Sequence, residues 1–107
     1  MRVHPVIRQI SSGAVEIVSI NHTDELDAGD TLTGTPTITE VETTDLTLSS
    51  KQVNSGALVI ENRDVAIGKA VQFKIQGQKA GTTYLIKENV NTVSGRTLEW
   101  GFRIEAI

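Results

Sequence analysis

The chain of 107 residues contains no cysteine, so neither a disulfide framework nor a thiolate metal site can hold it together, and no cysteine nucleophile exists. Aromatics are scarce: two phenylalanines, one tyrosine and one tryptophan make a poor base-stacking surface. Neither sign of charge dominates, because ten lysines and arginines are scattered among thirteen acids for a net −3, with no basic stripe to read phosphates. Nucleic acid is therefore disfavoured as a partner. Nothing approaches the roughly 20 apolar residues of a membrane span. The opening MRVHPVIRQISSG has no apolar run of signal-peptide length either, so the protein is expected in the cytoplasm or in a particle assembled there. Catalytic signatures are missing too: there is no Gly-x-Ser-x-Gly elbow, no His-Glu-x-x-His and no glycine-rich phosphate loop. An enzyme is disfavoured, and no cofactor is expected.

What is present points to strands. Threonine and other β-branched residues recur, while leucine and alanine never keep helical spacing for long. KAVQFKIQG alternates cleanly, with Val71, Phe73 and Ile75 on one face and Gln72, Lys74 and Gln76 on the other. TLTGTPTIT alternates as well, and Pro36 within it predicts an edge strand or a bulge, since proline cannot donate to a ladder. GAVEIVSIN has apolar residues on both parities (Val15 and Ile17, then Val18 and Ile20), which predicts a bulge or a strand covered on both faces. About seven short strands with turn signals between them predict an all-β sandwich, a single domain over residues 14–107. Residues 1–13 stand apart. They read either as an extra edge strand or fraying end, or as an arm whose Val3, Val6, Ile7 and Ile10 dock on a neighbouring subunit.

The last two strands fix their own register. Tyr84, Ile86, Glu88 and Val90 form one stripe, and Leu98, Trp100, Phe102 and Ile104 the other, all at even positions. Residues facing each other across an antiparallel pair share a face, so the pairing sum must be even. A three-residue loop, Val93-Ser94-Gly95, satisfies this and puts glycine where a left-handed residue is needed. It pairs Val90 with Leu98, Glu88 with Trp100, Ile86 with Phe102 and Tyr84 with Ile104. Glu88 is then a carboxylate in an apolar stripe, which must be paired, protonated or at a rim; the rim is expected, because no second acid occupies a matching inward position.

Other residues with chemistry have structural readings. Tyr84 follows an Ala80-Gly81 turn and can bond the backbone a few residues upstream, a tyrosine corner. Asp24, Glu25, Asp27 and Asp30 crowd one loop, but the spacing is not that of a calcium loop, so Asp24, Asp27 and Asp30 are only weak metal candidates in a solvated acidic turn. Asp30 also suits the end of that turn. His4 and His22, outside the clean strands, read as exposed loop residues.

The segment KAGTTYLIKENVNTVSGRTLEWGFRIEAI, with its Gly-Thr-Thr-Tyr turn and Ser-Gly-Arg-Thr hairpin tip, resembles the end of small immunoglobulin-like proteins of tailed bacteriophages, the fibre-tail adaptor type. AGDTLTGTPTI is similar to the opening of the second strand in that group. The resemblance spans residues 14–106, strongest at its end and weakest over 43–68. Gly-Thr-x-Tyr is also common in fibronectin type III domains. The chain departs from the group at Glu88, where the inward residue is usually apolar or cysteine, and in residues 1–13. The resemblance implies an immunoglobulin-like or fibronectin type III-like sandwich in a virion, without catalysis, contacting other tail, neck or fibre proteins in symmetric copies. A capsid decoration protein is the alternative within the same class, and a carbohydrate-binding or adhesion module the alternative from another.

Overall fold

The alternation read from KAVQFKIQG becomes a half-buried strand in the computed structural model, which describes residues 2–107, Val6 by its backbone alone. Nine strands occupy the described residues. They are β1 (Arg2–Ile10), β2 (Glu16–Asn21), β3 (Leu32–Val41), β4 (Thr47–Val53), β5 (Leu58–Ile60), β6 (Arg63–Val65), β7 (Ala70–Gln76), β8 (Thr83–Thr92) and β9 (Thr97–Ala106). One sheet has the order β1-β9-β8-β3, a second β2-β7-β4, and β5-β6 is a separate hairpin. The inward faces of the two larger sheets meet in one core: Val18, Ile20, Phe73 and Ile75 from one side, Ile38, Tyr84, Ile86 and Ile104 from the other. With no disulfide to help, this burial, about 1.5–3 kcal/mol per large side chain, is the main stabilising term.

The β8–β9 register is the one parity demanded: Tyr84↔Ile104, Ile86↔Phe102, Glu88↔Trp100 and Val90↔Leu98. Thr92 N–H bonds Arg96 O at 2.8 Å, closing a three-residue loop whose Gly95 has φ 96°. Pro36 lies both in an edge strand and beside a register shift between Thr33 and Thr37.

One open choice is decided and two expectations change. Of residues 1–13, Arg2–Ile10 form β1, which pairs parallel with β9 at the sheet edge, so within the chain this stretch is an edge strand. The nine strands exceed the expected seven because β1 joins the sheet and Glu61-Asn62, both at positive φ, fold β5 and β6 into a hairpin. That turn lacks the Asn-Gly or Asp-Gly signal that makes such hairpins visible in sequence. Finally, β2 has neither a bulge nor two covered faces: its pairing with β7 is continuous, Val18 and Ile20 are buried, and Ile17 is 64% exposed. It is an edge strand with an apolar residue left facing water.

Edge strands invite pairing with other chains unless something blunts them. β3 carries Pro36 and its bulge, and β4 breaks register between Ser49 and Gln52 around Ser50 at φ 51°. On β2, Arg8 Nη1 donates to the Ser19 carbonyl at 2.8 Å. β1 contains Pro5 and breaks register between Val3 and Ile7.

Buried and half-buried polar side chains hold the loops to this frame. Asn54 uses all four of its hydrogen-bonding positions, accepting from Lys69 and Ala70 N–H and donating to Gly56 and Ala66 O, which anchors the β5–β6 hairpin. The Glu40 carboxylate accepts from Asp45 and Leu46 N–H and from Thr43 Oγ1 at the β3–β4 crossover.

Candidate functional site

The inward parity of β2 runs Val18, Ile20, His22, and it carries His22 into the interior just where the strand ends. Asn21 Oδ1 then accepts from Thr23 N–H and Oγ1, a local turn that starts the 3-10 segment Thr23–Glu25. The turn brings Glu25 back beneath the imidazole: His22 Nδ1 lies 2.5 Å from Glu25 Oε2. On the opposite side of the ring, Nε2 lies 2.9 Å from both oxygens of Glu88 on β8. Trp100 Nε1 on β9 donates to the same Glu25 Oε2 at 3.1 Å. A relay from Glu88 through His22 and Glu25 to Trp100 thus joins two sheets and the loop between β2 and β3.

Two sequence expectations fail here together. Glu88 is fully buried, not at a rim, and His22 is 1% exposed, not a solvated loop residue. They fail for one reason: a buried carboxylate needs a counter-charge, and His22 supplies it. Burial works against the imidazolium, but the hydrogen bonds to Glu25 and Glu88 and the charges of both carboxylates outweigh it and raise the His22 pKa to about 9. At neutral pH the ring is a cation donating from both nitrogens. Such a group cannot serve as a general base, since neither nitrogen has a free lone pair. Nor can the triad cradle a metal ion, because the two carboxylates sit on opposite ring nitrogens and do not converge; among the described residues no cluster of three or more ligands does.

A cavity of about 200 Å³ lies beside the relay, between β1, β9 and the β5–β6 turn, with His4, Arg8, Asn21, Asp24, Glu25, Glu61, Arg63, Trp100 and Phe102 in its walls. Its charges are paired within the walls: Arg63 with Asp24 at 3.4 Å and Arg8 with Glu61 at 4.0 Å. The described lining holds no serine, threonine, cysteine or lysine to act as a nucleophile. Trp100 is not an open platform. The Arg2 guanidinium lies 5.0 Å above its ring, and the His4 ring, stacked on Phe102, is 6.2 Å away. His4, like His22, is therefore drawn into packing.

The aspartates of the acidic loop go to three different partners. Asp24 faces Arg63, and Asp27 faces Arg96 at 3.6 Å. Asp30 turns inward, accepting from Ser94 Oγ at 2.6 Å, Ser94 N–H at 3.2 Å and Thr31 N–H at 2.9 Å. The Ser94 hydroxyl bond, with help from the Ser94 and Thr31 amides and against partial burial, holds the Asp30 carboxyl below its ordinary range. Tyr84 is fully buried, and its hydroxyl accepts from Lys79 N–H at 2.9 Å, five residues upstream, and donates to Asp45 Oδ2 at 3.2 Å. Of the four apolar residues picked out in residues 1–13, Val3 and Ile10 are half-buried, Ile7 is exposed, and the Val6 side chain lies outside the described residues. Sequence reasoning missed His22 and Glu25 as partners of Glu88. The signal was available in the period of two that continues from Val18 and Ile20 to His22.

No model of a known protein family matches the chain, and no curated protein matches it either.

Proposed function

We propose that the chain is a non-enzymatic structural protein of a tailed-bacteriophage particle, an adaptor joining the tail or head–tail neck to fibres through protein–protein contacts. The observation that carries the reading is the meeting of the two stretches behind the resemblance. Asp30 of AGDT and Ser94 of SGRT, 64 positions apart, bond directly, so the two motifs form one structural unit. The strand order supports the same reading. With β2, β3 and β4 lettered B, C and D, β7, β8 and β9 lettered E, F and G, and β1 and the β5–β6 hairpin left as additions, the orders B-E-D and C-F-G are those expected of an immunoglobulin-like sandwich. The saturated His22 and the internally paired cavity favour binding over catalysis.

The test is composition and imaging of particles. Virions purified from a host carrying this gene should contain the protein by mass spectrometry, and gold-labelled antibody should mark the tail or neck. Label spread over the capsid faces would make it a decoration protein, and absence from the particles would end the reading.

A further inference from the structure

Strand β1 is the least committed element of the sandwich. None of its described side chains is fully buried, and the main core cluster contains no β1 residue; Ile10 packs against that cluster only half-buried. Its ladder to β9 is interrupted, with Arg2 and Val3 paired, then Ile7–Ile10, and two extra residues bulged between. Much of what holds it is contacts of its side chains: Arg2 over Trp100, His4 on Phe102, Arg8 on the Ser19 carbonyl and Gln9 on Glu105 at 2.9 Å. Residues 1–13 carry two of the ten basic side chains and none of the thirteen acidic ones, so a basic strand sits on an acidic body.

The link from β1 to β2 has the marks of a hinge. Ser11, Gly13, Ala14 and Val15 are exposed, and Gly13 has φ 72°. Gln78 closes it by donating Nε2 to both Ser11 O and Ala14 O at 2.8 Å, and in doing so leaves its buried Oε1 without a partner. Large exposed apolar side chains gather at the same place. Ile7, Val15 and Ile17 flank the hinge, and exposed Ile107 bonds Ile10 O and Ser12 N–H through its backbone.

We infer that β1 exchanges between two copies of this chain, each donating its β1 to the β9 edge of the other. Exchange keeps every β1–β9 contact and the charge match between strand and body, because donor and acceptor surfaces are identical in both copies. What changes is the hinge: opening it gives up the two hydrogen bonds of the Gln78 amide, a cost to be offset, and the two hinges cross where Val15 and Ile17 can cover each other. That newly covered apolar surface is what favours the dimer over the closed monomer. The inference deepens the reading of the protein as an assembly part, and it names the partner as a second copy.

Cysteine trapping tests it cleanly, because the chain has none of its own. Gln9 and Glu105 are direct cross-strand partners. The double variant Gln9→Cys/Glu105→Cys, refolded at about 100 µM and oxidised with glutathione disulfide, should run as a covalent dimer without reductant. Mixing the two single variants before refolding should give a 9–105 linked heterodimer by peptide mass spectrometry. Trp100 fluorescence verifies that each variant is folded. A four-residue Gly-Ser insertion after Ser12 should return the double variant to a cross-linked monomer, since a slack hinge lets β1 fold back on its own body. A double variant that cross-links only within one chain, or not at all, overturns the exchange. Such a result leaves the virion reading intact, whereas an exchanged dimer missing from purified particles would reject the virion reading alone.

Discussion

Raising the pH should weaken this fold through one residue. His22 has a pKa of about 9 in the folded chain against an ordinary value of 6.5, so the native state holds its proton more tightly than the unfolded state does. The stabilisation is fully present below about pH 6.5 and is lost as pH rises through about 9. A gap of this size corresponds to about 3 kcal/mol at pH 6, a little over 1 kcal/mol at pH 8 and almost nothing at pH 10. The ring is 1% exposed, so solvent does little to screen its charge from the two carboxylates. The assay is urea unfolding followed by fluorescence of Trp100, the only tryptophan and itself bonded to Glu25. With ordinary urea slopes the midpoint should fall by roughly 1–3 M between pH 6 and pH 10. His22→Gln keeps a donor for the carboxylates but does not titrate, so it should start less stable and lose most of the slope. A flat wild-type profile from pH 6 to pH 9, or an equal slope in the variant, would refute the assignment of a buried imidazolium.

Substitutions at five positions probe the rest. His22→Leu alone leaves Glu88 buried without a counter-charge and should cost about 3–5 kcal/mol, whereas His22→Leu with Glu88→Leu should recover most of that loss, both read by denaturant titration. Tyr84→Phe removes the acceptor for Lys79 N–H and the donor to Asp45, and calorimetry should show a loss of about 1–3 kcal/mol. At Gly77, φ is 88° and an added Cβ would lie 2.5 Å from Asp45 O, while at Gly81, φ 83°, it would meet open space. Gly81→Ala should therefore cost about 1–2 kcal/mol from the left-handed backbone alone, and Gly77→Ala clearly more; equal melting temperatures would contradict the close approach.

Much of the frame was legible because strands advertise themselves locally. The period of two in β7, β8 and β9, the even pairing sum and the glycine demanded at Gly95 are all short-range facts, and together they fixed the final hairpin to the residue. The β5–β6 hairpin was not legible, because its turn puts Glu61, a residue that seldom takes positive φ, before Asn62 in place of an Asn-Gly or Asp-Gly pair. In β2, parity alone could not say which apolar face was covered. That depended on whether any strand or loop lay over Ile17, and none of the described residues buries it.

The candidate site divides in the same way. From sequence alone, Glu88 was identifiable as a charge on an inward stripe and Tyr84 as a corner, since both follow from alternation along one strand. The tertiary structure alone decided that Glu88 meets His22, 66 positions away, that Glu25 closes the other side of the ring, and that Asp30 reaches Ser94. Alternation tells a side chain which face to take. Only the packing of one sheet against another says which charge waits on the far side, and a buried charge is stable or ruinous according to that partner.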